Sequence, residues 1–264
     1  MYVPAHFALP EDQARELLSR CGAADLVTVH EHGPVATYLP FLFDPDAGER
    51  GALLTHVARN NSQAREPVTG PALVIVRGPD HYVAPEWSPS YREDGQVVPT
   101  WNYLTVHAYG TLAVHDDPDW VRDVVTRTTA QHERHYSVDA VPADFVARQL
   151  RAIVGIEIRL TRIEAKAKMS QNKSPADVLG IIAGLRAEAG RGHGGGSDDP
   201  AVSRGTAGSA GSAGPGGSAG SAAATADWML AHSLPAAERR AALIDELASG
   251  RGGRRHRPSG AGTP

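Results

Sequence analysis

ADLVTVHEHGPVATYLPFLF, residues 24–43, reads as two strands folded back on each other. ADLVTVH (24–30) is a short run carrying Val27, Thr28 and Val29 and reads as a strand. VATYLPFLF (35–43) is a second run rich in β-branched and aromatic residues, and HGP (32–34) between them is turn chemistry. A hairpin here commits the chain to antiparallel pairing, because parallel strands need a much longer crossover.

The same pattern continues outward. ALLTHVA (52–58), ALVIVRG (72–78), TVHAYGTLAVH (105–115) and GIEIRLTR (155–162) read as strands and HYVAP (81–85) as a short strand or its end, with turn-like DPDAGERG at 44–51 and a loop at 88–96. Helical periodicity marks 10–21, 117–134, 142–153 and 174–188. Pro10, Glu11 and Asp12 suit the first helix start, where unpaired N–H groups favour negative charge. The order lacks the regular strand–helix alternation of a doubly wound sheet. The fold class expected is α+β, mainly antiparallel, a β-barrel with surrounding helices.

The 264 residues divide by composition. Residues 1–187 carry the periodic apolar pattern. Residues 188–224 are rich in Gly, Ser and Ala, with too little apolar side chain to offset chain entropy, and read as a flexible linker. Residues 225–250 place Trp228, Met229, Leu230, Leu243, Ile244 and Leu247 in short amphipathic helices around Pro235. Residues 251–264 form a basic tail that reads as disordered.

Net charge is −4 and Cys21 is the only cysteine. No intramolecular disulfide can form, which fits a reducing cytoplasm. The opening MYVPAHFALPEDQ has no basic, apolar leader pattern, and no apolar run is long enough to span a bilayer. The acidic balance, with no helix–turn–helix followed by a basic recognition helix, argues against direct DNA binding.

Three stretches concentrate polar or aromatic groups. THVARNNSQ (55–63) carries a strand out into His56, Ala58, Arg59, Asn60, Asn61 and Gln63. An arginine fork beside neutral donors suits a phosphate monoester, and a polar strand end suits the same pattern. PTWNY (99–103) sets Trp101 and Tyr103 on one face of a strand and Asn102 on the other. Those residues suit either a flat heteroaromatic ligand or a core or dimer contact. KAKMSQNKS (166–174) adds Lys168, Ser170, Gln171 and Asn172, donors that also suit a solvated strand edge. The histidines lie in no metal-ligand array, and no phosphate-binding glycine motif or nucleophile elbow is present.

MYVPAHF, TYLPFLF with LLTHVARNNSQ, GPDHYVAPEW, VPTWNYLTVHAYG, LRAIVGIEI and KMSQNKSPADVLGIIAGL occur in this order. Together they resemble the PaiB family, described as FMN-binding negative transcriptional regulators, over about residues 1–187. The resemblance implies a split β-barrel akin to pyridoxamine-phosphate oxidases and flavin reductases, forming a homodimer with FMN at the subunit interface. It places the run from His56 to Gln63 (His56, Ala58, Arg59, Asn60, Asn61, Gln63) on FMN, with Arg59 on the phosphate. It puts Trp101 and Asn102 near the isoalloxazine or a facing cavity. Lys168, Ser170, Gln171 and Asn172 complete the site. It implies a regulator that acts indirectly; an FMN-dependent oxidoreductase or split-barrel oxygenase is the alternative.

Overall fold

A computed structural model describes residues 1–191 and 219–252. The middle of the expected linker, 192–218, and the tail from 253 lie outside the described residues.

In chain order the elements are α1 (Glu11–Ser19), β1 (Ala23–His30), β2 (Gly33–Pro40), β3 (Leu42–Asp44), β4 (Ala52–Ala58), α2 (Ser62–Arg65), β5 (Ala72–Val83), α3 (Pro89–Glu93), β6 (Thr100–His115), α4 (Pro118–His132), α5 (Ala143–Leu150), β7 (Ile153–Lys168), α6 (Pro175–Arg191), α7 (Ala219–Trp228) and α8 (Leu234–Gly252). A π-helical turn, Met229–Ser233, joins α7 to α8. The chain forms two compact units: Met1–Gly78 with Leu104–Ala167, and Pro79–Tyr103 with the described chain from Lys168 on.

The seven strands form one sheet in the order β2-β1-β5-β6-β7-β4-β3. β1 pairs antiparallel with β2 and β5, and β4 with β3 and β7. The expected hairpin is present, with Ala23 opposite Pro40 and His30 opposite Gly33. The single strand expected over 35–43 is two. β2 and β3 lie at opposite ends of the strand order, yet only Phe41 separates them in sequence. One residue advances a chain by only about 3.8 Å, so the two ends of the sheet must meet. The Thr55 hydroxyl donates to Pro40 O across that seam at 2.6 Å. The sheet is therefore wrapped into a barrel, which removes exposed edges.

Phe41 fills the corner and is fully buried. Leu26, Leu53, Val74, Val106, Ile156 and Ile158 point inward from five strands and form the core. Gly51 has φ +82°, and a Cβ there would stand 2.6 Å from the Phe43 ring, so the β3–β4 turn needs glycine. α4 covers the outer face of β4, with Val124 and Trp120 over Ala52 and Leu54.

In the second unit, α6 carries Val178, Ile181, Ile182 and Leu185 on its buried side. It continues to Arg191, past the expected boundary at 187. α7 begins at Ala219, inside the span read as linker, and buries Ala222, Thr225 and Ala226. Pro235 stands one residue into α8, inside a continuous helical run, so its missing N–H removes a helix bond to the preceding turn. Its ring crowds the carbonyl four residues back, which widens the preceding turn and accounts for the π-helical Met229–Ser233.

Candidate functional site

The residues expected to bind a ligand fall into two groups, one in each unit.

In the first unit they sit at the end of β4. Ala58 is the last residue of the strand and pairs with Ile153. Arg59 follows, and its guanidinium is an organising fork. Nε donates to Arg151 O (3.0 Å) and Nη2 to Ile153 O (3.1 Å). Its outer edge holds both oxygens of Asp116, at 2.8 and 2.7 Å. The bond to Arg59 keeps the Asp116 carboxyl below the usual carboxylate range. Asn60 is exposed in the turn. Asn61 caps α2, its side chain accepting from Gln63 N at 2.9 Å.

Gln63 is fully buried and faces inward. Its Nε2 lies 3.2 Å from Leu26 O, 3.0 Å from Thr28 Oγ1 and 3.2 Å from Val35 O. Its role in the unit is to tie the turn after β4 to β1 and β2. His30 extends this chain: Nδ1 lies 3.1 Å from Pro67 O and Nε2 lies 2.8 Å from Thr28 Oγ1. A carbonyl can only accept, so Nδ1 carries the proton and Nε2 accepts from the Thr28 hydroxyl.

Two clefts flank this strand end. One, of about 460 Å³, is lined by Arg59, Arg122, Arg151, Asp116 and Asp119 over apolar Val121 and Leu150. The other, of about 270 Å³, is mostly apolar, with Tyr136, Phe145 and Val125 around His56. Leu150 and Ile153 belong to both walls. Burial lowers the His56 pKa, so its ring is neutral near pH 7 and offers one donor and one acceptor. The donor set fits a phosphate monoester, since Arg59 already holds a carboxylate in the two-pronged geometry a phosphate uses. The larger cleft lies within the usual size of ligand pockets and the smaller just below it, and together they pair a charged end with an apolar one.

The sequence reading missed Asp116, Arg122 and Arg151, which are distant from 55–63 in the chain. It also missed a half-buried pair nearby: His115 Nε2 meets Glu157 Oε2 at 2.9 Å, and the His115 ring stacks on Trp120 at 4.0 Å. Burial pulls the Glu157 carboxyl up, but Arg159 and His115 hydrogen bonds outweigh it and leave the pKa lowered. Cys21 is no nucleophile, because burial pushes its thiol up to about 11.

In the second unit, Asn102 is fully buried. Its Oδ1 accepts from the Ser170 hydroxyl (3.0 Å), and its Nδ2 faces the Met229 thioether (3.3 Å). Ser170 has φ +64°, a left-handed conformation that is uncommon for a residue with a Cβ. Lys168 Nζ donates to Trp101 O (2.7 Å) and to Thr100 Oγ1. Trp101 Nε1 donates to Asp80 Oδ2 at 3.3 Å. Gln171 Oε1 accepts from Met169 N (2.8 Å), and Asn172 is exposed.

Residues 1–162 match the family described as "Putative FMN-binding domain". The chain belongs to that family. The cofactor that goes with it is FMN. The chain is 28% identical over 194 residues to "Protease synthase and sporulation protein PAI 2" of Bacillus subtilis, covering 71% of this chain and 90% of that protein. It is 36% identical over 107 residues to the uncharacterized protein YKL070W of Saccharomyces cerevisiae, covering 39% and 62%. Among solved structures it is similar to the conserved hypothetical protein Rv2991 from Mycobacterium tuberculosis, with 12% identity, TM-score 0.45, and 66% and 94% of the two chains covered. The flavocytochrome Anf3 from Azotobacter vinelandii gives 12% identity, TM-score 0.45, and 63% and 72% covered. Among the described residues no helix is long and apolar enough to cross a membrane.

Proposed function

We propose that this chain binds FMN at the outer end of β4, with its phosphate on Arg59. The observation that carries the reading is the Arg59 fork, backed by two main-chain carbonyls and closed on an exposed carboxylate. A phosphate dianion would replace Asp116 there, with Arg122 and Arg151 in the same cleft. Ala58, Asn60 and Asn61 shape the turn beside the phosphate. Gln63 acts from behind, by fixing that turn. His56, in the adjoining apolar cleft, would meet the polar edge of the flat ring. FMN supplies redox chemistry when bound, and these residues bind and orient it.

Trp101, Asn102, Lys168, Ser170, Gln171 and Asn172 are proposed separately as a wall able to meet a planar ligand through a donor–acceptor edge. The biological reading is a cytoplasmic homodimer with FMN at the subunit interface. It regulates transcription indirectly, through a bound small molecule or partner. Turnover of an acceptor with NAD(P)H would instead favour the oxidoreductase.

The test is FMN titration followed by flavin fluorescence. Arg59→Ala should weaken binding by roughly tenfold to a hundredfold, the loss expected for a charge-assisted contact. Arg162→Ala is the control: Arg162 lies over the Tyr109 ring and pairs with Glu164, outside both clefts. Equal effects, or no uptake of FMN by the native chain, would overturn the assignment.

A further inference from the structure

The second unit contains a polar pair that no ligand can reach as the chain stands. Asn102 and Ser170 are both buried, and the cover over them is the chain's own C-terminal helices. The cover is specific. The π-helical turn sets Met229 against Asn102 and brings the Ser233 hydroxyl to Met169 O at 2.8 Å. Nearly two turns into α8, Arg240 donates to Gln171 O (2.6 Å) and to Lys173 O. At the start of α7, the Ser221 hydroxyl accepts from Asp80 N at 3.0 Å.

The cover also has weak points. Its buried apolar side chains are Ala222, Ala226, Met229 and Ala237, so only Met229 is large. Thr225 Oγ1 is buried with no hydrogen-bond partner among the described residues, which opposes docking. The Asn102 amide, a strong donor, is given a thioether, a weak acceptor. Beyond residue 241 every described side chain of α8 is exposed. π-helical turns of this kind are costly and cluster at functional positions.

We infer that α7 and α8 form a releasable cap, latched by Arg240 and Met229, that controls access to Asn102 and Ser170. Met229 holds the place of a better acceptor. A ligand carrying a carbonyl beside an N–H satisfies the amide and the hydroxyl together once the cap lifts. That last point rests on the reading of Asn102 and Ser170 as a ligand wall; the cap itself does not.

Hydrogen exchange by mass spectrometry on the full FMN-free chain tests the cap. Arg240→Ala should speed exchange about tenfold or more in peptides covering 169–173 and 225–237, and leave β4 and β7 unchanged. Met229→Leu, which keeps the volume, should do the same more weakly. Unchanged exchange in 169–173, or equal acceleration in β4, would overturn the cap as a separately opening element. Uracil, which has a carbonyl beside an N–H and no phosphate for Arg59, is then the access probe. Faster binding by Arg240→Ala than by the native chain supports control of access, and equal binding rates overturn it. Binding by neither chain while the exchange result holds removes the ligand-wall reading and leaves the cap.

Discussion

Gln63→Leu is the sharpest test of how the proposed phosphate turn is held. The amide has two N–H groups and three acceptors within 3.2 Å: Leu26 O, Thr28 Oγ1 and Val35 O. Leucine has nearly the same volume, so the substitution removes hydrogen bonds without opening a large cavity. Two buried bonds at roughly 1–1.5 kcal/mol each give a loss of about 2–3 kcal/mol. Gln63 Oε1, however, is itself buried without a partner, and removing it returns about 1 kcal/mol. The net cost is therefore about 1–2 kcal/mol. Gln63→Glu should cost more at neutral pH, because it turns a donor toward two carbonyls into a carboxylate. The chain has two units, so a single global melt is a poor readout. Hydrogen exchange of β1 and β2 amides measures the opening of this barrel region itself. A Gln63→Leu chain whose β1 amides open with a free energy within about 0.5 kcal/mol of native would refute the tie. So would a Glu variant milder than the Leu variant.

Two further perturbations probe the outer face of β4 and β7. Gly155→Ala places a Cβ 2.0 Å from the Trp120 ring, between the strand and α4. Overpacking should cost about 1–3 kcal/mol and disturb the Trp120–His115 stack, with faster hydrogen exchange of β4 and β7 amides and a shift in tryptophan emission as the measures. His56 has a pKa lowered by burial, so the unfolded chain takes up its proton first. Stability should then fall as pH drops below about 6.5 and stop falling on this account below the folded pKa. Opening free energies of β4 amides, from hydrogen exchange at about pH 7.5 and about pH 5, should show a smaller loss for His56→Leu than for the native chain. Equal losses would mean that the ring is not desolvated. Depressed carboxylates such as Glu157 act only in more acid solution, so they do not confuse this window.

The local pattern carried the strand inventory well: GIEIRLTR alternates as a half-buried strand does, and ADLVTVH was legible from its β-branched run although it buries Thr28 and His30 and exposes Val29. It failed at Phe41, where one apolar run covers two strands at opposite ends of the sheet. Closing a barrel is a long-range event, and a buried corner aromatic looks the same in sequence as one inside a strand. The site shows the same division. Arg59 was legible as a fork at a strand end; its anion, Asp116, belongs to a DDPD stretch that reads only as a helix start. TWNY opens β6, as the strand-face reading of Trp101, Asn102 and Tyr103 expects, and HYV (81–83) is the end of β5.

Pro235 shows how far one legible residue can reach. Its sequence signal is a break between two amphipathic helices. In the chain the break is absorbed as a wider turn, and the helices continue through it. A regular α-helix would set Met229 and Ser233, four residues apart, one above the other on a single stripe. The π turn shifts that spacing, so that one meets Asn102 and the other meets Met169 O. Pro235→Ala should relax the turn toward α-helical spacing, so that only one of the two contacts can be kept. Faster exchange at 169–173 with α8 still helical is the expected result. Unchanged exchange there would separate the proline from the cap and leave the π turn to be explained by docking alone.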